Sequence, residues 1–444
     1  MLFKNYDELV LNGQTPALQQ KRKDILDMLI AAVEAVDSYL VIERVVKGRQ
    51  LVFESETIDL SSFDHLYVVG FGKASVGMAQ AMCDVVPVTK GVVVTNDSSR
   101  KIHNSAIEVV VGGHPLPNKE SIFGTEKILD LLKQCDENDC VIVLISGGGS
   151  SLLCKPLVPL VDLQKTTGLL LQSGADINEI NTVRKHLSMV QGGQLAQYMK
   201  GVMISLIISD VVNDPISSIA SGPTCPDPTT FIDAKEIFKR YKLWHAIPAS
   251  VRTVIENGIA GAISETPKAA DPVFKNVFNF IVANNDLACQ TVVRKAEELG
   301  YAARLMTTSM TGEARTLGPF LVNKAIQSIS RGKTVFITGG EPTVKVRGHG
   351  TGGRNQELVL SCVEVIADRE MVVASFATDG IDGNSDVAGA LADGGTLARA
   401  RKENLDVSGC LEENNSFVFF SQLGDVLRTG STGTNVMDIQ IVLR

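Results

Sequence analysis

Glycines and charged residues cluster where short apolar runs end, and each cluster has the composition of an ion-binding loop. VVGFGKAS puts Gly70, Gly72 and Lys73 between an apolar run and a helical pattern. Backbone N–H groups and the helix dipole favour an anion there, and Lys73 adds a charge at the helix start. The segment is not a GxxxxGK[ST] loop, and Ser75 stands where GxGxxG needs its third glycine. A tight turn with a solvated lysine therefore explains it equally well. LISGGGSSLL is sharper: Gly147, Gly148 and Gly149, flanked by Ser146, Ser150 and Ser151, let backbone wrap phosphate oxygens while hydroxyls add donors. With Gly72, these are the candidate phosphate- or substrate-binding positions.

Further along, INTVRKHLS spaces Asn181, Arg184, Lys185 and Ser188 to share one helix face, as an anion site or a solvated surface. Asp210, Asn213 and Asp214 follow another apolar run, where carboxylates suit a hard cation and Asx turns need the same residues. The densest cluster, Thr338 to Leu360, holds Arg347, His349, Arg354 and Asn355 around glycine pairs. Arg354 at a helix start suits a bidentate clamp on a carboxylate or phosphate. Asp379, Asp382 and Asp386 follow within ATDGIDGNSDVAGA without the spacing of a calcium loop, which leaves metal handling or a base for a substrate hydroxyl. His114 in GGHPLPN reads as a turn residue or a general base.

The elements that must position these loops are legible from periodicity. A helical pattern runs from Pro16 to Val46, and apolar strands are expected in HLYVVG, GVVVTN, IEVVVGG, CVIVLIS and VMISLIIS, with helices at Ala74–Val86 and Lys119–Gln134 between them. Continuous apolar strands alternating with helices indicate a mainly parallel sheet covered on both faces, with ligands beyond the strands' carboxyl ends. After the Pro-rich SGPTCPDP a second set is expected: FNFIVAN, TVFITGG, PTVKVR, VVASFAT, SFVFF and DIQIVL, with helices at Asp286–Leu299, Glu313–Ser330 and Gly353–Ala367. PTVKVR follows TVFITGG so closely that the two are expected to pair antiparallel. At 444 residues two large domains fit, with a boundary near 240: 1–240 and 241–444.

Composition narrows the classes. A formal charge of −8 argues against nucleic-acid or anionic-membrane partners, and no apolar run approaches a membrane span. The eight cysteines form no CxxC pair or metal-ligand cluster, which suits reduced thiols in a cytoplasmic protein.

GFGKAS, GGHPLPN, SGGGSSLL, INTVRKHLS, SDVVNDPISSIASGPTCPD, GGEPTVKVRGHGTGGRNQE, ATDGIDGNSDVAGA and GDVLRTGSTGTNVMD together resemble the class II glycerate kinases, the MOFRL family, in order and over nearly the whole length. The resemblance implies an α/β fold of two domains, an N-terminal Rossmann-like three-layer domain with a mainly parallel sheet and a smaller C-terminal mixed-sheet α/β domain, with the active site in the cleft between them. It implies phosphorylation of D-glycerate, in most such enzymes to 2-phosphoglycerate, from ATP with Mg²⁺ or another divalent cation. Lys73 and Arg354 match positions that the family uses in its active site. Asp210 and Asp379 are the further catalytic candidates, and Asp214, Asp382 and Asp386 the metal candidates. The expected partners are D-glycerate and a nucleotide, and a homo-oligomer is compatible with the sequence. Gln191 and Gln194 depart from the family pattern, which has basic residues there, as do Ile381, Ser431 and Met437. The rival readings are a hydroxypyruvate reductase using NAD(P)H, a 3-phosphorylating glycerate kinase, and a non-catalytic sugar-acid or nucleotide sensor.

Overall fold

In a computed structural model of the chain, residues 2–329 and 332–444 are described. They divide into two compact units: Ser38–Val282, and Met1–Asp37 together with Ala283–Arg444. The boundary expected near 240 is thus corrected twice, because the N-terminal helices leave the first half and residues 241–282 stay with it.

The first helices explain the first correction. Helix α1 spans Tyr6–Leu11 and α2 Pro16–Ala35, started by Thr15, whose hydroxyl accepts from Leu18 N, and by a proline at the first turn. Ile25, Met28, Leu29 and Val33, spaced as one helical stripe, are buried. On the same helix Arg22 is fully buried, with Nε 2.5 Å from Asp393 and Nη1 2.8 Å from Asp425. A buried cation needs those two carboxylates, which fastens α2 to the C-terminal part of the chain.

In the unit Ser38–Val282, helix α3 (Ser38–Val45) leads into a small antiparallel sheet of β1 (Val46–Lys47), β2 (Gln50–Val52) and β3 (Thr57–Asp59). The main sheet comprises β4 (Leu66–Phe71), β5 (Lys90–Thr95), β6 (Ile107–Val111), β7 (Cys140–Ile145), β8 (Val202–Ile208) and β9 (Val277–Ala283), in the order β6-β5-β4-β7-β8-β9. The pairs from β6 through β8 are parallel, as their unbroken apolar runs require once both faces are covered. Covering helices include α4 (Ser75–Val85), α5 (Lys119–Leu132), α6 (Gly149–Leu152), α7 (Leu160–Ser173), α8 (Ile177–His186), α9 (Phe231–Arg240) and α10 (Ala249–Ile259). Phe231, Phe238, Val251 and Ile255 share one core with Leu170 and Val183, so α9 and α10 cannot belong to the other unit. From β4 the chain winds to β5 and β6 on one side, then to β7 and β8 on the other. The point where the order reverses lies between β4 and β7, and in open α/β sheets ligands bind at such a point, outside the strands' carboxyl ends.

In the other unit, α11 (Asn285–Glu298), β10 (Ala302–Met310), α12 (Ala314–Gln327), β11 (Thr334–Gly340), α13 (Arg354–Cys362), β12 (Val372–Ala377), β13 (Gly389–Asp393) and β14 (Asp438–Leu443) build a mixed sheet in the order β10-β11-β14-β12-β13. Only β10 and β11 pair parallel. Several expectations fail here. PTVKVR forms no strand, its one ladder contact being an isolated bridge from Thr343 to Glu313, because β14 from the chain end takes the place beside β11. SFVFF lies in the helix Ser416–Gln422 with Phe419 and Phe420 buried, so packing overrides β propensity. FNFIVAN joins the other unit's sheet as β9, and β10 and β13 were not anticipated. Helix α12 ends at Gln327, and Ser330, the expected end, lies outside the described residues. Among the described residues no helix is long and apolar enough to cross a membrane.

Candidate active site

The two glycine loops meet at the carboxyl ends of adjacent strands β4 and β7. Lys73 N donates to Gly147 O at 2.9 Å and Ala74 N to Ser146 Oγ at 3.0 Å. Gly72 has φ +131°, and a Cβ there would lie 2.2 Å from Ser146 Oγ, so only glycine allows this approach. Gly148, at φ +84°, lies beside both the His114 ring and the Lys73 stem, 3.0 and 3.5 Å from where its Cβ would be. Three loops therefore converge on one point. Among the described residues no backbone carbonyl takes the amide hydrogens of Gly147 and Gly148, which leaves donors for an anion next to Lys73.

The serines of this loop divide their work. Ser146 is buried and holds the β4 turn, and Ser151 Oγ donates to Pro115 O, so both build the loop rather than face a ligand. Ser150 Oγ lies 2.8 Å from Ser221 Oγ, which donates to Asn181 Oδ1. Ser221 was not among the sequence candidates. It lies after β8 in a loop where Asn213, Asp214, Ala220 and Ser221 all take positive φ, a concentration of backbone strain found at functional sites. The signal was the SGP turn, whose position against Ser150 depends on the sheet order. Asp210 and Asp214 are partly buried at the start of this loop.

Lys185 and Arg184 part company. Lys185 is buried 3.4 Å from Asp227, whose carboxylate also accepts from Thr229 and Thr266, so its expected contact with substrate is corrected to a core ion pair. Burial would raise Asp227, but Lys185 and the Thr229 hydrogen bonds hold it below the usual carboxylate range. Arg184 points instead toward a small cavity with Ser150, Ser188 and Gln191.

In the other unit Arg354 starts α13, as expected. Its Nε and Nη2 engage Asp438 at 2.5 and 2.9 Å, and Nη1 engages Glu341 at 2.8 Å. The bidentate edge expected to clamp a ligand is thus occupied by Asp438. Burial pushes Asp438 up to about 7, aided by Asp382 and Glu341 and opposed by Arg354. Burial lowers Arg354, but Asp438 and Glu341 outweigh it and keep the guanidinium charged. Sequence reasoning did not single out Asp438 and Glu341 as the partners of Arg354. An acid opening the apolar DIQIVL strand was the available signal.

The acidic group after β12 does not assemble as expected. Asp382 is buried and accepts from Asn355 N, Gln356 N and both their side-chain amides, which makes it the cap of α13 rather than a metal ligand. Asn355 is buried in the same network, accepting from Ser375 Oγ, and so is not free to bind substrate. Asp386 is exposed, 3.8 Å from Arg428. Asp379 accepts from Ile381 N in a tight turn. Among the described residues no group of three or more His, Cys, Asp or Glu is arranged to hold a metal ion.

Two family profiles match the chain: a domain of unknown function, DUF4147, over residues 24–256, and the MOFRL family over 334–438. A glycerate 2-kinase from Pyrococcus horikoshii is 43% identical over 93% of this chain and 94% of its own. The chain belongs to the glycerate kinase family. A crystal structure of the Thermotoga maritima glycerate kinase superposes on this family member with TM-score 0.85 at 35% identity, covering 96% of this chain and 99% of that one. The family also takes in a protein called putative hydroxypyruvate reductase from Agrobacterium vitis, 38% identical over 85% of this chain and 86% of its own. Two departures from the family pattern have structural roles: Gln191 Nε2 donates to Ser150 O, and Gln194 Nε2 to the carbonyls of Ser188 and Gln191, so both brace the loops with neutral amides.

Proposed function

We propose that this chain transfers the γ-phosphoryl group of ATP to the 2-hydroxyl of D-glycerate. The observation that carries the reading is the meeting of Lys73 with the donor-rich Gly147–Ser151 loop at the reversal of strand order, in a chain from the glycerate kinase family. Phosphoryl transfer needs positioning and charge neutralisation above all. The Gly147 and Gly148 amides would hold phosphoryl oxygens and Lys73 would neutralise charge as it develops. Arg354, kept charged and oriented by Asp438 and Glu341, would bind a second anionic group. A divalent cation arriving on the nucleotide needs only one or two protein carboxylates. Asp210, Asp214 and Asp379 fit that demand, and one of them would orient the acceptor hydroxyl.

The test is to incubate the purified protein with D-glycerate and MgATP, and separately with hydroxypyruvate and NADH or NADPH, coupling the product through enolase. ADP formation that feeds enolase without phosphoglycerate mutase is the expected result. A requirement for the mutase would mean 3-phosphorylation, and nicotinamide oxidation without ADP would replace the kinase reading with a reductase.

A further inference from the structure

Beside Ser150 of the Gly147–Ser151 loop lies a narrow cavity of about 20 Å³. Its polar lining comprises Arg184, Lys155, Ser150, Thr167, Ser188 and Gln191, and it includes no acid. Lys155 is paired with Glu126, which leaves the Arg184 guanidinium as the charge facing the space. The Arg184 guanidinium has no hydrogen bond to another side chain or carbonyl among the described residues. The ionisable group that acts on it is Cys154, a thiol that burial pushes up to about 11 and so keeps neutral. Burial accordingly pulls Arg184 below its ordinary value. Ser188 Oγ accepts from Val190 N and Gln191 N, so its own hydrogen is left to donate. A half-buried cation with an adjacent unused hydroxyl donor and no carboxylate beside it is an arrangement that an anion would complete. The protein supplies both halves of a receptor and omits the ligand's charge.

From this geometry we infer that Arg184 and Ser188 form the seat for the carboxylate of the acid substrate, and so set its specificity for acids over polyols. The size of the cavity selects the class: it admits about one water-sized group, hence the oxygen end of a carboxylate and not a tetrahedral phosphate. Ser150 belongs to both the cavity and the glycine loop, so an acid held by Arg184 has its hydroxyl-bearing carbon beside that loop. Arg354 is then left to handle phosphate rather than substrate. The assignment rests on the glycerate reading above, and its test is arranged to separate the two.

Thermal unfolding of the full chain is followed at constant ionic strength with sodium D-glycerate, glycerol or sodium phosphate, for the wild type, Arg184→Met and Arg184→Lys. D-Glycerate is expected to raise the wild-type Tm while glycerol and phosphate leave it unchanged. Arg184→Met removes an uncompensated charge, so its ligand-free Tm should be no lower than wild type, and its response to glycerate should vanish. In turnover, KM for glycerate should rise on the order of a hundredfold with KM for ATP within about threefold, and Arg184→Lys should fall between. Arg184-dependent protection by glycerate without turnover would uphold the seat and sink the kinase reading alone. Arg184-dependent protection by phosphate would overturn the carboxylate assignment. So would a lowered Tm in Arg184→Met with an unchanged KM for glycerate.

Discussion

A guanidinium is useful to a ligand only to the extent that its donors are unspent, and Arg354 and Arg184 lie at opposite ends of that range. Arg354 has one full edge committed to Asp438. If Arg354 acts on a ligand as proposed, Asp438 is its positioning residue and supplies a proton that can be lost. The folded carboxyl titrates near 7, against about 3.9 for an ordinary aspartate. Between those values the folded chain holds a proton that the unfolded chain lacks. This group's contribution to stability is therefore fully present below about pH 4 and is lost as pH rises toward 7. Activity should move the other way, because the ionised form is the one that fixes Arg354: kcat/KM should fall below about pH 7, and Asp438→Asn should flatten that acid limb. A pH profile of the variant that keeps the limb would remove Asp438 from this role. Arg354→Lys cannot satisfy Asp438 and Glu341 in the same fork, and it should lose roughly ten- to hundredfold in kcat/KM.

Among the elements, the decisive ones are the turns after β4 and β7, whose backbones touch where any Cβ would intervene. Gly72→Ala would put a methyl 2.2 Å from Ser146 Oγ and 2.5 Å from Ser146 O at φ +131°. The loops must separate, at a cost of order 1–3 kcal/mol. Activity should collapse while far-ultraviolet circular dichroism stays native. Gly174→Ala, at φ +79° in the cap of α7 with nothing within 4 Å, carries backbone strain alone. It should lower Tm slightly and leave kcat/KM unchanged. Equal losses of activity in the two variants would contradict the loop-contact argument.

For the molecule as a whole, the chain leaves one unit at Asp37 and returns to it at Ala283. Arg22 then joins segments some four hundred positions apart, since Asp425 also holds Arg399 and Asp393 caps its own turn. Arg22→Met leaves Asp393 without its cation and Asp425 with Arg399 alone, and should cost about 3–5 kcal/mol by chemical denaturation. A fragment of residues 283–444 should fail to fold alone and recover a cooperative transition when residues 1–37 are supplied. Cooperative unfolding of the isolated fragment would show the N-terminal helices to be dispensable.

Much of this was legible because it is local. Unbroken apolar runs such as CVIVLIS could only be buried parallel strands, and glycine clusters at their ends could only be turns that let backbone approach something closely. Lys73, Gly72 and the Gly147–Ser151 loop followed from that, and the motif order pointed to the family. Charged residues were less legible, because spacing gives a residue's type and place but not its partner. Lys185 and Asp382 read as ligand groups and proved to be a core ion pair and a helix cap, since Asp227 and the α13 amides reach them only through the fold. Conversely, Asp438 and Ser221 acquired their places by tertiary contact, and β14, arriving from the chain's far end, displaced the hairpin that proximity suggested. Apolar patterning by itself determined the buried parallel strands β4 to β8 and the loops at their ends; the strands of the mixed sheet, and which charge meets which, were decided only when the sheets assembled, because pairing energy depends on distance and burial that no linear spacing contains.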